Sequence, residues 1–566
     1  MLNKSVEQTI SWFLAIGTAF TTVFLMTDAV TDPVNVTKLS AAGGVGVSVF
    51  LIAILLGRKG LLESSKLVLV LAGLMVVTML NAVFASKSPM SQNIYGTYGR
   101  NTAFVFYLVM VLAMVGASLL RDEKSFNRLL RALFVAGALN LFYCTWVLAF
   151  GDFLGWQNPY GNILGLFGNP DFISAFFGIF AAAVVAYVVG PGKSWKVRLV
   201  GAATFLVTFY EIHRSHAIQG TAVTGAGLTL IGFYWIRSKF QKKIFTFGYL
   251  AGVLIAGSLA LAGALQKGPL AHYIYKTSVS LRGQYWQAAI NAGKSHPLSG
   301  VGMDAFGDWY RRTRTEYAAT TLPGPNTITN AAHNVVLDFF AAGGWPLLLS
   351  YLATIALGIW VILKVTLRNR SYDATFVALA TAWACYELQS VISINQAGLA
   401  IWGWVLLGAL VAYEFSTRVK SDDHAGSSKP QAKKVAQSKE SVFSPQLIGG
   451  LGVVIGVLIA VPPMSADMKW KAALKSQNLA AVETALKPGY MQPSSSMRLA
   501  QAVQMFEQSK LPDQAYTYAK QGVEFNPDYF DAWKMLYFIS KSTQADKDLA
   551  LKNMKRLDPL NPDVLK

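Results

Sequence analysis

Stretches of about 20 apolar residues, the length of helix that crosses roughly 30 Å of hydrocarbon, follow one another along this chain and constrain its fold more than any other feature. Thirteen occur, at 9–31, 38–57, 67–86, 102–120, 128–150, 172–190, 197–212, 217–236, 244–264, 335–364, 373–391, 397–415 and 446–462. They are rich in Leu, Ala, Val and Phe and lack the apolar–polar alternation of an outer-membrane barrel. The expected class is therefore all-α: a polytopic membrane bundle of about 12–13 helices. Composition agrees, because 14% of the residues are charged against about 25% in soluble domains.

A formal net charge of +19 raises the question of nucleic acid, and the position of the charges answers it. The basic residues fall mainly in every second short loop, including "GRKGLLESSK", "RDEKSFNR", "GPGKSWKVR", "RSKFQKK" and "KVTLRNRSYD". The alternate loops, such as "TDPVNVTK" and "SINQ", are poor in Lys and Arg. The positive-inside rule then places the N-terminus inside and the C-terminus outside a bacterial cytoplasmic membrane, with no nucleic-acid partner. Cys144 and Cys385 both lie within spans and read as apolar fillers. The first run has no small-residue cleavage site and reads as a retained span.

The expected organisation is a membrane domain over 1–415 with a long external loop at 266–334, a Ser/Lys/Gln-rich cytoplasmic linker over 416–445, and a final span at 446–462. A loop that long inside a compact domain is usually functional. Over 463–566 the pattern becomes that of soluble helices. Two segments there end in Asn-Pro at a spacing of roughly 35 residues, as tetratricopeptide helix pairs do.

The chain has no Walker-type phosphate loop, His-Glu-x-x-His or Gly-x-Ser-x-Gly, so nucleotide hydrolysis, zinc chemistry and serine-hydrolase chemistry lose support. The outer face offers arginine instead: Arg100, Arg214, Arg282 and the cluster Arg311, Arg312 and Arg314. Guanidinium groups bind phosphate oxygens bidentately, and the competing reading is anchorage at the headgroup level by snorkelling. His333 opens the tenth span. Its imidazole can take a proton from a hydroxyl, or it can simply cap the helix beside Asn334. Asp338 and Glu387 lie within spans, where ionisable groups face polar interiors.

Four segments in order, "YGTYGRNTAFVFYL", "GLFGNPDFISAFF", "LRGQYWQAAINAGKSHPLSGVGMDAFG" and "HNVVLDFFAAGGWPLLLSYL", resemble the O-antigen ligase and polymerase superfamily. The resemblance runs from about residue 90 to 415. It implies metal-independent, cofactor-free and inverting transfer of a glycan from a polyprenyl-diphosphate carrier to an acceptor hydroxyl at the outer face of the membrane. The acceptor is a glycan, lipid or protein, since ligases, polymerases and protein-directed transferases share these motifs. By matching motif Arg282 would hold the diphosphate and His333 would act on the acceptor hydroxyl. Arg100, Tyr285 and Asn334 would contribute to substrate binding, and Asn169 and Asp171 would shape a turn. Many members carry Ser-Arg-Gly where this chain has Gln219-Gly220 in "SHAIQGTAVTG"; Gln219 is neutral, so Arg214 or another arginine compensates, or the donor differs, and Gln219 and Arg214 both stand as substrate-binding candidates. The C-terminal repeats offer a surface for a protein partner.

A transporter or flippase of a lipid-linked saccharide is the alternative. It predicts inverted repeats and broken helices at the midplane, whereas this chain shows no internal duplication and its polar residues gather at the outer edge. A membrane scaffold for the repeats would explain the tail but not the motif series.

Overall fold

The computed structural model describes residues 3–156, 158–425 and 444–565. Among these residues the protein is helical, with no β-strand. All thirteen expected spans fall on helices, from Lys4–Val23 to Pro445–Ala460. Eight of them are individually long and apolar enough to cross a membrane, and the protein is an integral membrane protein. Of the others, Phe104–Ala117 has only 14 residues. Pro445–Ala460 reaches spanning length only together with Pro462–Ser476, across a 53° bend. The first helix stops at Val23, short of the expected 31. Asp32 then takes over, accepting the N–H groups of Val34 and Asn35 to start the next helix.

Burial sorts the helices by role. Pro170–Val188 and Ala397–Ala425 are central, whereas Lys243–Ala264 buries only Gly263. Its exposed Ile244, Phe247, Leu254 and Leu261 form the apolar surface that lipid covers. The last apolar helix, which the sequence sets apart behind a linker, packs back against Asn35–Leu55. A Cβ on Gly43 would lie 2.4 Å from the Gly456 carbonyl oxygen, so these helices approach through small residues as membrane helices do. Within the expected linker, the helix Ala397–Ala425 continues through 416–425, and 426–443 lie outside the described residues.

The C-terminal domain is a run of helices in which Ser496–Gln508 and Phe530–Phe538 begin 34 positions apart. It docks on the long loop. Arg311 and Arg314 both bind Asp558, at 2.9 and 2.7 Å, and the Arg314 and Asp558 side chains are fully buried. Arg312 binds Asp528 at 3.1 Å. The arginine cluster is therefore engaged by carboxylates of the C-terminal domain rather than by headgroups. Removing one partner of a buried ion pair leaves the other charge uncompensated, at a cost of about 3–5 kcal/mol. Asp558→Ala is accordingly expected to release the domain. Hydrogen exchange would rise together over 306–314 and 526–531, and protection unchanged at both places would contradict the assignment.

Candidate functional site

The site is built from a break in a helix. Within Val335–Arg368, Gly344 has φ 63° and ψ −158°, a region only glycine populates readily. Pro346 has no N–H to give the Ala342 carbonyl. The Trp345 N–H turns away to the Pro297 carbonyl at 2.8 Å. Two helix carbonyls thus lose their partners, and the loop supplies new ones: Val301 N–H donates to Ala341 at 2.8 Å and Gly302 N–H to Ala342 at 3.1 Å. Gly300 has φ 63°, and a Cβ there would sit 2.2 Å from the Ala342 carbonyl carbon. "PLSGVG" and "AAGGWP" therefore account for each other: one is the clip, the other its seat.

Asp304 follows the clip. Its carboxylate accepts the N–H groups of Thr97 at 2.8 Å and Thr102 at 3.3 Å, which fixes the loop carrying Arg100. Gly96 is required there, since a Cβ would meet the Asp304 carboxylate at 2.4 Å. Burial pushes the Asp304 carboxyl up to about 6, opposed by those N–H groups and by Arg100. The Arg100 Nε donates to Asn330 Oδ1 at 2.8 Å.

His333 sits on the next turn of chain with φ 55°. Its Nδ1 lies 3.2 Å from the Ala331 carbonyl. A carbonyl only accepts, so the neutral ring carries its proton on Nδ1 and leaves the Nε2 lone pair open. Asp338 folds back to accept the Ala332 N–H at 2.7 Å and holds this turn. Asn334 caps the helix by accepting the Leu337 N–H at 3.1 Å. Burial pulls His333 down to about 4, and the positive charges of Arg100 and Arg282 add to the effect against the Ala331 hydrogen bond. Its ring centroid is 5.5 Å from that of Tyr285.

Tyr285 and Arg282 are one turn apart on the loop helix Thr277–Ser295. Arg282 Nη2 lies 3.7 Å from Asp171 Oδ2, and its buried Nε has no partner. Asp171 occupies the first turn of Pro170–Val188, with its N–H held by the Asn169 side chain at 2.8 Å. Arg100, Arg282, Tyr285 and His333 line one cavity of about 630 Å³.

Residues 213–352 match the family model described as O-antigen ligase. The chain carries an O-antigen ligase domain. No curated protein matches the chain. The matched ligase segment contains Arg282, Tyr285, His333 and the whole clip, while Arg100 and Asp171 reach the same cavity from outside it.

Three residues named from the sequence do not line the cavity of this ligase domain. Arg214 ends its helix exposed to solvent. Gln219 is buried between helices, its Nε2 donating to Gln389 Oε1 at 3.2 Å. Asn334 is occupied as a cap. Sequence reasoning missed Asp304, whose signal is an acid two residues after the Gly-x-Gly of the clip. It also gave Asp171 only a turn-forming role, although this carboxylate faces Arg282. The wall contributed by the C-terminal domain, including Ser495, Tyr529 and Asp531, carries no sequence signal.

Proposed function

We propose that the protein transfers a glycan from a polyprenyl-diphosphate carrier to an acceptor hydroxyl at the extracytoplasmic face of a bacterial cytoplasmic membrane. What supports this reading above all is one cavity that combines two guanidinium groups, Arg100 and Arg282, with a neutral, directionally held imidazole. Arg282 lines the cavity and binds the diphosphate through its guanidinium fork. The acceptor hydroxyl gives its proton to His333 Nε2 as its oxygen bonds to the anomeric carbon. The bond from that carbon to the diphosphate oxygen breaks, the electron pair leaves with the diphosphate, and Arg282 stabilises the growing charge. A single displacement inverts the anomeric configuration. Bound diphosphate also offsets the arginine charges that depress His333, so the base strengthens when the donor is present.

Transfer in proteoliposomes, from the host's own polyprenyl-diphosphate glycan, tests the reading. The expected product carries the inverted linkage. A retained linkage, or movement of the lipid-linked glycan across the bilayer without transfer, would overturn it.

The pH profile gives a second check. For the free enzyme, the required forms are ionised Asp304 and neutral His333. As pH falls, Asp304 takes its proton near 6 and loses its charge opposite Arg100, and His333 follows near 4. The acid limb of kcat/KM is expected to have two steps at these positions and none at about 6.5, the ordinary imidazole value. Asp304→Asn should remove the upper step and keep the lower one. A single step near 6.5 would contradict the assignment.

A further inference from the structure

We propose that the C-terminal domain forms the acceptor side of the cavity and takes a neutral saccharide there, an inference that rests on the transferase reading above. The lining changes its chemistry from one wall to the other. Arg100, Arg282 and His333 stand on the ligase-domain and membrane side, together with Asp171, whose charge is paired with that of Arg282. The C-terminal domain presents Ser495, Ser496, Phe525, Tyr529 and Asp531 to the same cavity, and among the described residues it contributes no Lys or Arg to the lining. Between the walls, Arg311 is already paired with Asp558 and stacked at 4.3 Å on Phe530.

A diphosphate is drawn to the arginine wall and repelled by a carboxylate. Hydroxyl, carboxylate and aromatic groups suit the opposite requirement, which is an uncharged ligand with many hydroxyls and apolar C–H faces. Asp531 accepts from such hydroxyls, Ser495 does both, and the Tyr529 ring supplies an apolar face. Burial, and then the hydrogen-bonded Asp531 carboxylate beside it, raise the Tyr529 phenol above its ordinary value, so the pair presents a neutral phenol next to a carboxylate.

This wall is held rigidly beside the residues it faces. Asn526 Nδ2 donates to Asp308 Oδ2 at 3.0 Å and to Ser496 Oγ at 3.1 Å. Gln92 Nε2 donates to the same Asp308 oxygen at 3.0 Å. Ser91 Oγ donates to the Ser494 carbonyl at 3.0 Å. Each anchor lies within a few residues of a lining group, which is how a binding constellation is kept in place.

The test is equilibrium binding to the full-length protein in detergent. The probe is the oligosaccharide released by mild acid from the host's lipid-linked pool. Wild type is expected to bind it. Tyr529→Ala and Asp531→Ala should each weaken binding at least about tenfold, and Asp531→Asn, which keeps the side-chain shape, should weaken it too. Unchanged melting and unchanged exchange protection over 306–314 would show that the domain stays docked. No binding by wild type, or equal binding by wild type and the three variants, would overturn the proposal. The Arg282–His333 reading fails separately, on transfer from the lipid-linked donor, which this measurement does not use.

Discussion

Arg282→Ala is expected to slow glycan transfer by at least about a hundredfold, the loss typical when a charge-stabilising donor is removed from a reacting site. The side chain is mostly buried, its Nη2 is oriented by Asp171 at 3.7 Å, and its buried Nε is unpaired. In the reaction proposed, negative charge grows on the leaving diphosphate, so the guanidinium contributes more in the transition state than in the bound donor. The loss should therefore appear mainly in kcat. Arg282→Lys keeps the charge but not the planar fork, and it should recover only part of the rate. Equal kcat for Arg282→Ala and wild type, with the variant folded, would remove Arg282 from the chemistry.

Gly344→Ala is expected to be the most damaging small substitution for the fold of the site. At φ 63° and ψ −158° a side chain is strained by about 1–3 kcal/mol. The added Cβ would also lie 2.3 Å from the Pro297 carbonyl oxygen. That oxygen cannot withdraw without breaking its bond from Trp345 N–H. The clip would open, and it joins the loop helix carrying Arg282 and Tyr285, which precedes it in the chain, to Asp304, which follows it. We expect a lowered melting temperature in detergent, raised hydrogen exchange at Val301 and Gly302, and lost transfer. Wild-type protection of those two amides in Gly344→Ala would contradict the account of the break.

Much of this architecture was legible in the sequence because the membrane imposes a single length and a single backbone solution on each span. The thirteen apolar runs fell on helices for that reason. Where the reading stopped short, the cause was tertiary. The first helix ends at Val23, and the segment after it is held by Asp467, which accepts the N–H groups of Thr31 and Asp32 from far along the chain. The arginines at 311, 312 and 314 offered a plausible phosphate cluster, yet their partners Asp528 and Asp558 lie more than 200 positions away. Arg214 and Gln219 stand near the place where the resemblance expects Ser-Arg-Gly, and neither lines the cavity.

The residues of the site divide along the same line. Arg282, Tyr285 and His333 stood out because an arginine, an aromatic ring and a histidine recur in an ordered motif series. Asp304 did not, because its importance lies in four backbone and side-chain groups of 97–102 that converge on it only in the folded protein. The pairing of "PLSGVG" with "AAGGWP" was hidden for a similar reason. Each motif looks like an ordinary flexible turn until the missing helix donors are counted against the loop amides that replace them.

In the reaction proposed, His333, a neutral imidazole beside two arginines, takes the proton of the acceptor hydroxyl in a lipid-linked glycan transfer. The rate of transfer in proteoliposomes by His333→Ala, against wild type with the same host donor, tests it most directly. Loss of at least about a hundredfold is expected, in a protein that still folds and still binds the donor. Transfer by folded His333→Ala at the wild-type rate would contradict it.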